Sequence, residues 1–218
     1  VDKYSEAYEA VAGTREGSPD WLSSARRRAW QTFSELGIPV KRRGNELWKY
    51  TDLRPLADVA FEFGAVGTVT TDEIKASAPW DDAWDTVVIV DGKFKADLSN
   101  LHGTLGLTAD SLDESIYSGA GDIEKQLTSL AGREQYAFTA LNTAFLDDGA
   151  YVAIADNTEL SEPVHVIFVT SKLTASRAIY PRLLIDAASN TSTVIIETHI
   201  NLADSAQLSL PVVEIFAA

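Results

Sequence analysis

Five short apolar runs follow one another in the C-terminal third of the chain, and they constrain its fold more than any other feature. Each run is rich in Val, Ile, Leu, Phe or Tyr and is too short for an ordinary helix, so each predicts a β-strand. Turn-forming pairs such as Asp156-Asn157 and Ser189-Asn190 separate the runs. The predicted strands are 151–155, 164–169, 179–185, 193–198 and 208–216.

The spacing of these runs leaves two folds open. Their centres lie 12 to 17 residues apart, which is too far for tight hairpins throughout and too close for helical crossovers between parallel strands. The run 164–169 is apolar on both alternating faces apart from His165, which indicates a strand covered on both sides. Pro211 lies inside the last run and indicates a strand edge or corner. Coils of a β-helix and a β-sandwich both satisfy this pattern.

The N-terminal part of the chain predicts helices. The spacing of Tyr4, Tyr8 and Val11 predicts a short helix over 2–12 that ends at Gly13. A second helix begins at Ser18 and Pro19, where Ser18 is expected to cap the free N–H groups and Pro19 to take the first helical position. Gly37 is the expected stop. The apolar face of the second helix consists of Leu22, Ala25, Ala29, Phe33 and Leu36.

The middle of the chain mixes both kinds of element. Its pattern predicts a short helix over 72–78 and a hairpin over 85–94, with Asp91-Gly92 supplying the turn. One or two helices are expected between Ser111 and Leu130, and another over 134–145. Helices therefore lead into the strands of the C-terminal third.

The charge balance is acidic but uneven. Eighteen Lys and Arg stand against 32 Asp and Glu, a net charge of −14, whereas the segment 21–54 carries +5 and the remainder −19. Such a chain is a poor general nucleic-acid binder. Arg26, Arg27 and Arg28 cannot share one helix face, so a solvated helix surface is favoured over a docking patch for these three residues.

Composition also excludes several classes. With no cysteine among 218 residues, disulfides and thiol chemistry are absent from this chain. No apolar run reaches the roughly 18–20 residues of a transmembrane helix, and no signal peptide is recognised at the N-terminus. We therefore expect no membrane partner and a cytoplasmic location. The absence of methionine, including an initiator, predicts that the N-terminus was trimmed or that the chain is part of a longer product.

Candidate chemistry is sparse. Glu197 and His199 share a strand face and could form an acid–base pair or two metal ligands, but two residues do not define a site, so a hydrogen bond on the outside of a sheet is favoured. Asp147-Asp148 precedes Gly149 and is typical of a turn. No phosphate-binding glycine motif is present. The sequence therefore predicts no catalytic, cofactor-binding or metal-binding residue.

A longer constellation resembles a known family. Segment 46–53 reads ELWKYTDL, which resembles the N-terminal signature of the SufB/SufD scaffold proteins of Suf-type iron–sulfur cluster assembly. Within it, Trp48, Tyr50 and Leu53 are expected to anchor the segment against a core. Later matches follow in the order of the family: 138–149, 181–185, 194–197 and 213–215. The chain is most similar to the N-terminal half of SufD.

The resemblance decides between the two open folds. It implies a mainly β fold with an α-helical N-terminal region and a partial right-handed parallel β-helix. The expected regions are 1–64, N-terminal helices; 65–148, a mixed α/β connection; and 149–218, the first part of a truncated β-helix core. Family chains continue well beyond this point, so their later Cys and His positions have no counterpart here.

The resemblance also implies a function. We expect a non-catalytic scaffold subunit of a SufBCD-type complex, with a SufB-like subunit and a SufC-like ATPase as partners and an iron–sulfur cluster as cargo of the whole complex. The alternative is a β-helix or β-sandwich enzyme that acts on carbohydrate through a carboxylate pair drawn from Asp186, Glu197 and Asp204.

The C-terminal run supports one more prediction. A β-helix that stops within its core leaves unpaired backbone groups and an uncovered apolar interior. We therefore expect Leu210, Val212, Ile215 and Phe216 to be buried against another copy or a partner strand, with Pro211 limiting the pairing.

Overall fold

Helices and strands contribute comparably to the fold. The computed structural model describes residues 2–15, 17–40, 46–59, 61–64, 66–132, 136–173 and 175–218. Its helices are α1 (Asp2–Gly13), α2 (Asp20–Leu36), α3 (Arg54–Asp58), α4 (Thr71–Ser77), α5 (Leu112–Ser118), α6 (Ile123–Gln126) and α7 (Ala137–Phe145), with a 3-10 turn at Glu46–Trp48. The predicted helical N-terminal region is confirmed, but the chain is not mainly β. The predicted start of the last helix, 134–135, lies outside the described residues.

The strands form three stacks of parallel strands. They are β1 (Asp85–Val90), β2 (Lys93–Phe94), β3 (Leu107–Ser111), β4 (Ala150–Ile154), β5 (Val164–Thr170), β6 (Arg177–Ile179), β7 (Arg182–Ala187), β8 (Ile195–Asn201), β9 (Gln207–Ser209) and β10 (Val212–Ala217). The orders are β2-β1-β5-β8, β10-β7-β4-β3 and β6-β9. Consecutive strands from β4 to β10 lie in different sheets, and each strand from β4 to β7 pairs in parallel with the third strand after it. Antiparallel β2 and β3 make the two larger sheets mixed.

The main core lies between the two larger sheets. Alternate residues of β1 and β5 point inward and meet alternate residues of β3, β4 and β7, as a period of two requires. Val166 and Val152 are fully buried there, and Phe168 is 4% exposed. The opposite face of β5, with Ile167 and Val169, packs under Ile74 of α4. Coverage of β5 on both faces, expected from its sequence, is confirmed.

Two predicted strands are each two strands. The predicted strand 179–185 is divided into β6 and β7, and 208–216 into β9 and β10. Pro181 and Pro211 lie at the two corners, because a proline cannot donate to a ladder. The Val212 N–H donates to the Pro181 carbonyl at 3.0 Å, so the corners stack. The expectation that Pro211 marks a corner is confirmed.

The start of α2 differs from the prediction. Pro19 occupies the N-cap position, and no side chain caps the helix. The Ser18 hydroxyl instead accepts a hydrogen bond from the Arg26 guanidinium at 3.0 Å. Arg26 also donates from Nε to the Leu146 carbonyl at 2.8 Å and is only 6% exposed. The expectation of a solvated surface holds for exposed Arg27 and Arg28 but is wrong for Arg26.

The motif segment anchors the chain only in part. Leu53 is buried, and Trp48 packs edge-to-face on Phe138 of α7 at 5.0 Å between ring centroids. Tyr50, however, is 92% exposed, so its predicted anchoring role is wrong. An adjacent aromatic cluster joins α1, α2 and α7 to the third sheet, and it contains Tyr4, Phe33, Phe63, Phe145 and Tyr180. Lys41, Arg42 and Arg43 of the basic segment lie outside the described residues.

Candidate interaction surfaces

The Glu197–His199 pair lies on the inner face of the first sheet, not on its outside. Register places Glu197 beside Val166 and His199 beside Phe168, and both partners belong to the core. The two side chains are joined by a hydrogen bond of 2.6 Å between His199 Nε2 and Glu197 Oε1. The His199 ring stacks on Phe168 at 4.7 Å. The predicted hydrogen bond is therefore present, but the predicted outer position is wrong, because β8 continues the inward row of β5.

This pair is exposed because, in the described part of the chain, no strand pairs with the far edge of β8. β8, β9 and β10 are the last members of their stacks, and we call these three strands the terminal rung. The side chains of His199 and Glu197 are 45% and 40% exposed. Ile215 of β10, also on an inner face beside Ile185, is 53% exposed. Within the described ranges no strand pairs with the outer edges of β8 and β10, so the rung presents unpaired backbone groups.

The apolar residues of the last run are covered unequally. Leu210 packs partly on the aromatic cluster and Phe216 partly on the helices α5 and α6, because both point outward from the strand stacks. Val212 is also half-buried, whereas Ile215 is exposed. The outward row is therefore covered within the described residues, whereas Ile215 of the inward row is exposed.

Asp147 and Asp148 serve separate structural roles. Asp148 accepts hydrogen bonds from Ser111 Oγ at 2.9 Å and from the Asp113 N–H at 3.1 Å, which ties the end of β3 to the strand that follows α7. Asp147 is paired with Lys93. Burial raises the pKa of Asp147, but the hydrogen bond and charge of Lys93 outweigh it and leave this pKa below its usual value. Each carboxylate therefore already has a partner.

A buried ion pair was not expected from the sequence. Arg182 Nη2 lies 2.9 Å from Glu214 Oε2, and the two side chains are 0% and 1% exposed. Arg182 also donates to Asn142 Oδ1 at 2.9 Å. The Glu214 carboxylate accepts three backbone N–H groups, from Thr128, Leu130 and Ala131 of the loop after α6. This network joins α7, β7, β10 and that loop. Burial lowers the pKa of Arg182, and the charge of Glu214 opposes that shift.

A second buried pair lies at the hairpin. Arg177 Nη1 of β6 lies 3.2 Å from Asp91 Oδ2, and both side chains are almost fully buried. The Asp91 carboxylate also accepts the Ser171 N–H at 2.9 Å. The only signal for either pair in the sequence is a charged residue within an otherwise apolar run. Because charged side chains are mostly exposed to solvent, such a residue is predicted to lie on the surface.

Residues proposed for carbohydrate chemistry do not come together. Asp186 belongs to β7, on the row shared with half-buried Phe216 and Ala153 outside the main core. Glu197 belongs to the other large sheet and its inner face. Asp204 is exposed in the connection between β8 and β9. The described residues also hold no group of three or more His, Asp or Glu side chains that could bind a metal ion.

Comparison with known proteins identifies the family. A family model described as the SufBD protein N-terminal region matches residues 1–166. The chain belongs to the SufBD family. A Synechocystis sp. (strain ATCC 27184 / PCC 6803 / Kazusa) protein described as an iron–sulfur cluster assembly SufBD family protein is 30% identical over 204 residues. The match covers 91% of this chain and 44% of that relative, so the chain spans less than half of the relative's length.

The residues matched by the SufBD family model include only some of the features described above. It contains the motif segment with Trp48, the hairpin residue Asp91 and Asn142 of α7. The terminal rung and the arginines of the two buried ion pairs, Arg177 and Arg182, lie beyond residue 166. Within the described residues no helix is both long and apolar enough to cross a membrane.

Proposed function

We propose that this chain is the N-terminal part of a non-catalytic scaffold subunit in a SufBCD-type iron–sulfur cluster assembly complex. The observation that carries the proposal is the SufBD family match over residues 1–166, and the description of the Synechocystis relative supports it. The partners are a SufB-like subunit and a SufC-like ATPase, and the cluster is cargo of the complex. Because the 218 residues contain no cysteine, thiolate ligands would come from elsewhere in the assembly.

The fold proposed for this subunit is a right-handed parallel β-helix of which the three strand stacks are the first coils. Paired residues lie 30 positions apart between β7 and β10 and 31 between β5 and β8. Successive turns also stack: Asn190 donates from Nδ2 to Asn157 Oδ1 at 3.0 Å. Both asparagines take a left-handed backbone conformation. The predicted boundaries at 64/65 and 148/149 stay predictions, as does the cytoplasmic location.

The proposed contact surface of the scaffold is the terminal rung. Its unpaired strand edges and the inward row ending at Ile215 can accept a further strand, which a partner subunit, a second copy of this chain or a later segment of a longer chain would supply. The carboxylate of Glu197 and the ring of His199 lie on the inner face of β8, the terminal strand of the other large sheet. They favour a partner strand with polar groups at the matching positions, because buried polar groups need partners.

Co-purification tests the proposal. The tagged chain is expressed with SufB-like and SufC-like proteins, and the amount of each captured protein is measured. We expect stoichiometric capture of the SufB-like subunit and strong loss in Ile215→Asp, which places a charge in the inward row. Leu105→Asp is the matched control, since Leu105 is 94% exposed in a connecting loop. Absence of capture, or equal capture by both variants, would contradict the rung as contact surface.

A further inference from the structure

A groove between two helices and a loop has no role in the fold or the proposed scaffold contact. It has a volume of about 370 Å³, within the usual range of small-molecule sites. The residues that line it come from α2, from α7 and from the loop after α6. They are Ala25, Arg28, Ala29, Thr32, Thr128, Ser129, Ala131, Gly132, Ala140 and Thr143.

Among the described residues that line the groove, Arg28 is the one cation and none is acidic. Arg28 is exposed on the α2 face of the groove, and its guanidinium has no ion pair with any residue that the structure describes. Although the chain has a net charge of −14, no described carboxylate neutralises this cation. An unpaired arginine has a planar set of donors suited to carboxylate and phosphate oxygens.

Hydroxyl groups complete the donor set. Thr143 is only 6% exposed, yet its hydroxyl lines the groove and has no hydrogen-bond partner among the described residues. The hydroxyls of Thr128 and Ser129 are likewise without a partner in the described part of the chain. The Thr143 hydroxyl is therefore available to donate to an oxygen of a molecule that enters the groove.

The loop wall of the groove is held in place from behind. Glu214 accepts the N–H groups of Thr128, Leu130 and Ala131, and Arg182 fixes Glu214 in turn. Thr128 has a φ of 70°, which is rare for a β-branched residue. A Cβ on Gly132 would lie 2.6 Å from the Thr128 carbonyl oxygen. Such preorganisation lowers the entropy cost of binding, and strained backbone is typical of functional sites.

We propose that this groove binds a small molecule that carries an oxyanion, either phosphate or carboxylate. The oxyanion is bound by Arg28 with the hydroxyls of Ser129 and Thr143. The four alanines of the groove pack against the uncharged part of the ligand. The volume exceeds that of a single phosphate and leaves room for such a body.

Titration of the isotope-labelled full chain by NMR tests the site. Inorganic phosphate and acetate are added separately at constant ionic strength, with chloride as the balancing anion. We expect saturable shifts at the amides of Thr32, Ser129 and Gly132, with a Kd on the order of millimolar for the isolated group. The probe that binds more tightly identifies the oxyanion. Shifts that do not saturate, or that chloride reproduces, would overturn the proposal.

Matched variants make the result specific. Arg28→Gln is expected to weaken binding by about tenfold or more, the loss of one charge-assisted contact. Thr143→Val removes a hydroxyl at nearly constant shape and is expected to weaken binding several-fold. Arg27→Gln is the control, because Arg27 is exposed on the same helix but does not line the groove. If Arg27→Gln and Arg28→Gln weaken binding equally, the effect of charge on binding is nonspecific and the proposed site is refuted.

Discussion

Glu214→Gln tests whether the buried Arg182–Glu214 pair holds the last strand to the body of the chain. The side chains are 1% and 0% exposed and 2.9 Å apart, so the substitution leaves a buried guanidinium without its counter-ion. Loss of one partner from such a pair costs about 3–5 kcal/mol. Since a domain is stable by only roughly 5–15 kcal/mol, this is a large fraction. For a chain of this size it lowers Tm by roughly 6–20 °C.

Urea unfolding followed by tryptophan fluorescence measures the effect. Arg182→Gln combined with Glu214→Gln is expected to recover part of the loss, because no uncompensated charge remains. Glu197→Gln is the matched control: its carboxylate is 40% exposed, so its loss changes the free energy of unfolding by at most about 1 kcal/mol. If Glu214→Gln and Glu197→Gln unfold at the same urea concentration, the assignment of the pair is wrong.

Three further variants test other contacts, each by urea unfolding. Gly149→Ala is expected to cost about 3 kcal/mol or more, because φ is 153° and a Cβ would lie 1.9 Å from the Arg182 carbonyl oxygen. Arg26→Ala is expected to lower the free energy of unfolding by about 2 kcal/mol, because the hydrogen bonds of Arg26 are lost. Arg27 is exposed, so Arg27→Ala is expected to lower it by at most about 0.5 kcal/mol. Burial lowers the pKa of His165, so the folded state favours the neutral imidazole. The contribution of His165 to the free energy of unfolding is therefore full above about pH 6.5 and is lost as the pH falls toward the lowered pKa. His165→Gln is expected to remove this dependence of the free energy of unfolding on pH.

Controls for these variants come from the same chain. Gly13→Ala meets nothing within 4 Å and is expected to leave stability unchanged or slightly higher. His102 is exposed, so His102→Gln is expected to leave the pH dependence of the free energy of unfolding unchanged between neutral and mildly acidic pH. The role of Gly149 is refuted if Gly149→Ala is as stable as Gly13→Ala. The role of Arg26 is refuted if Arg27→Ala lowers the free energy of unfolding as much as Arg26→Ala. The role of His165 is refuted if the pH dependence of stability is removed by His102→Gln instead.

Regular periodicity made most elements predictable. The apolar spacing of α2, the Asp91-Gly92 turn and the run that forms β5 each specify their own local structure. The strand β3 was missed because its polar Thr108 and Asp110 interrupt a short apolar signal. The spacing of the later runs left two folds open because paired strands lie about 30 residues apart, and three strands of unequal separation fall within each such interval.

Long-range polar contacts were the least predictable part. A charged residue in an apolar run gives no sign of its partner, so neither Arg182 nor Arg177 could be assigned to a buried pair. Glu197 and His199 were found together because they lie two residues apart on one strand. The groove around Arg28 was not found, since the α2 wall lies about a hundred residues before the other two walls in the sequence.

Iron and acid-labile sulfide, measured per chain in the isolated protein and in the co-purified complex, test the scaffold assignment most directly. After anaerobic reconstitution we expect well below one cluster per isolated chain, since the sequence contains no cysteine to supply thiolate ligands. We expect stoichiometric cluster in the complex with the SufB-like and SufC-like proteins. A stoichiometric, stable cluster on the isolated chain, or a complex that carries none, would contradict the account.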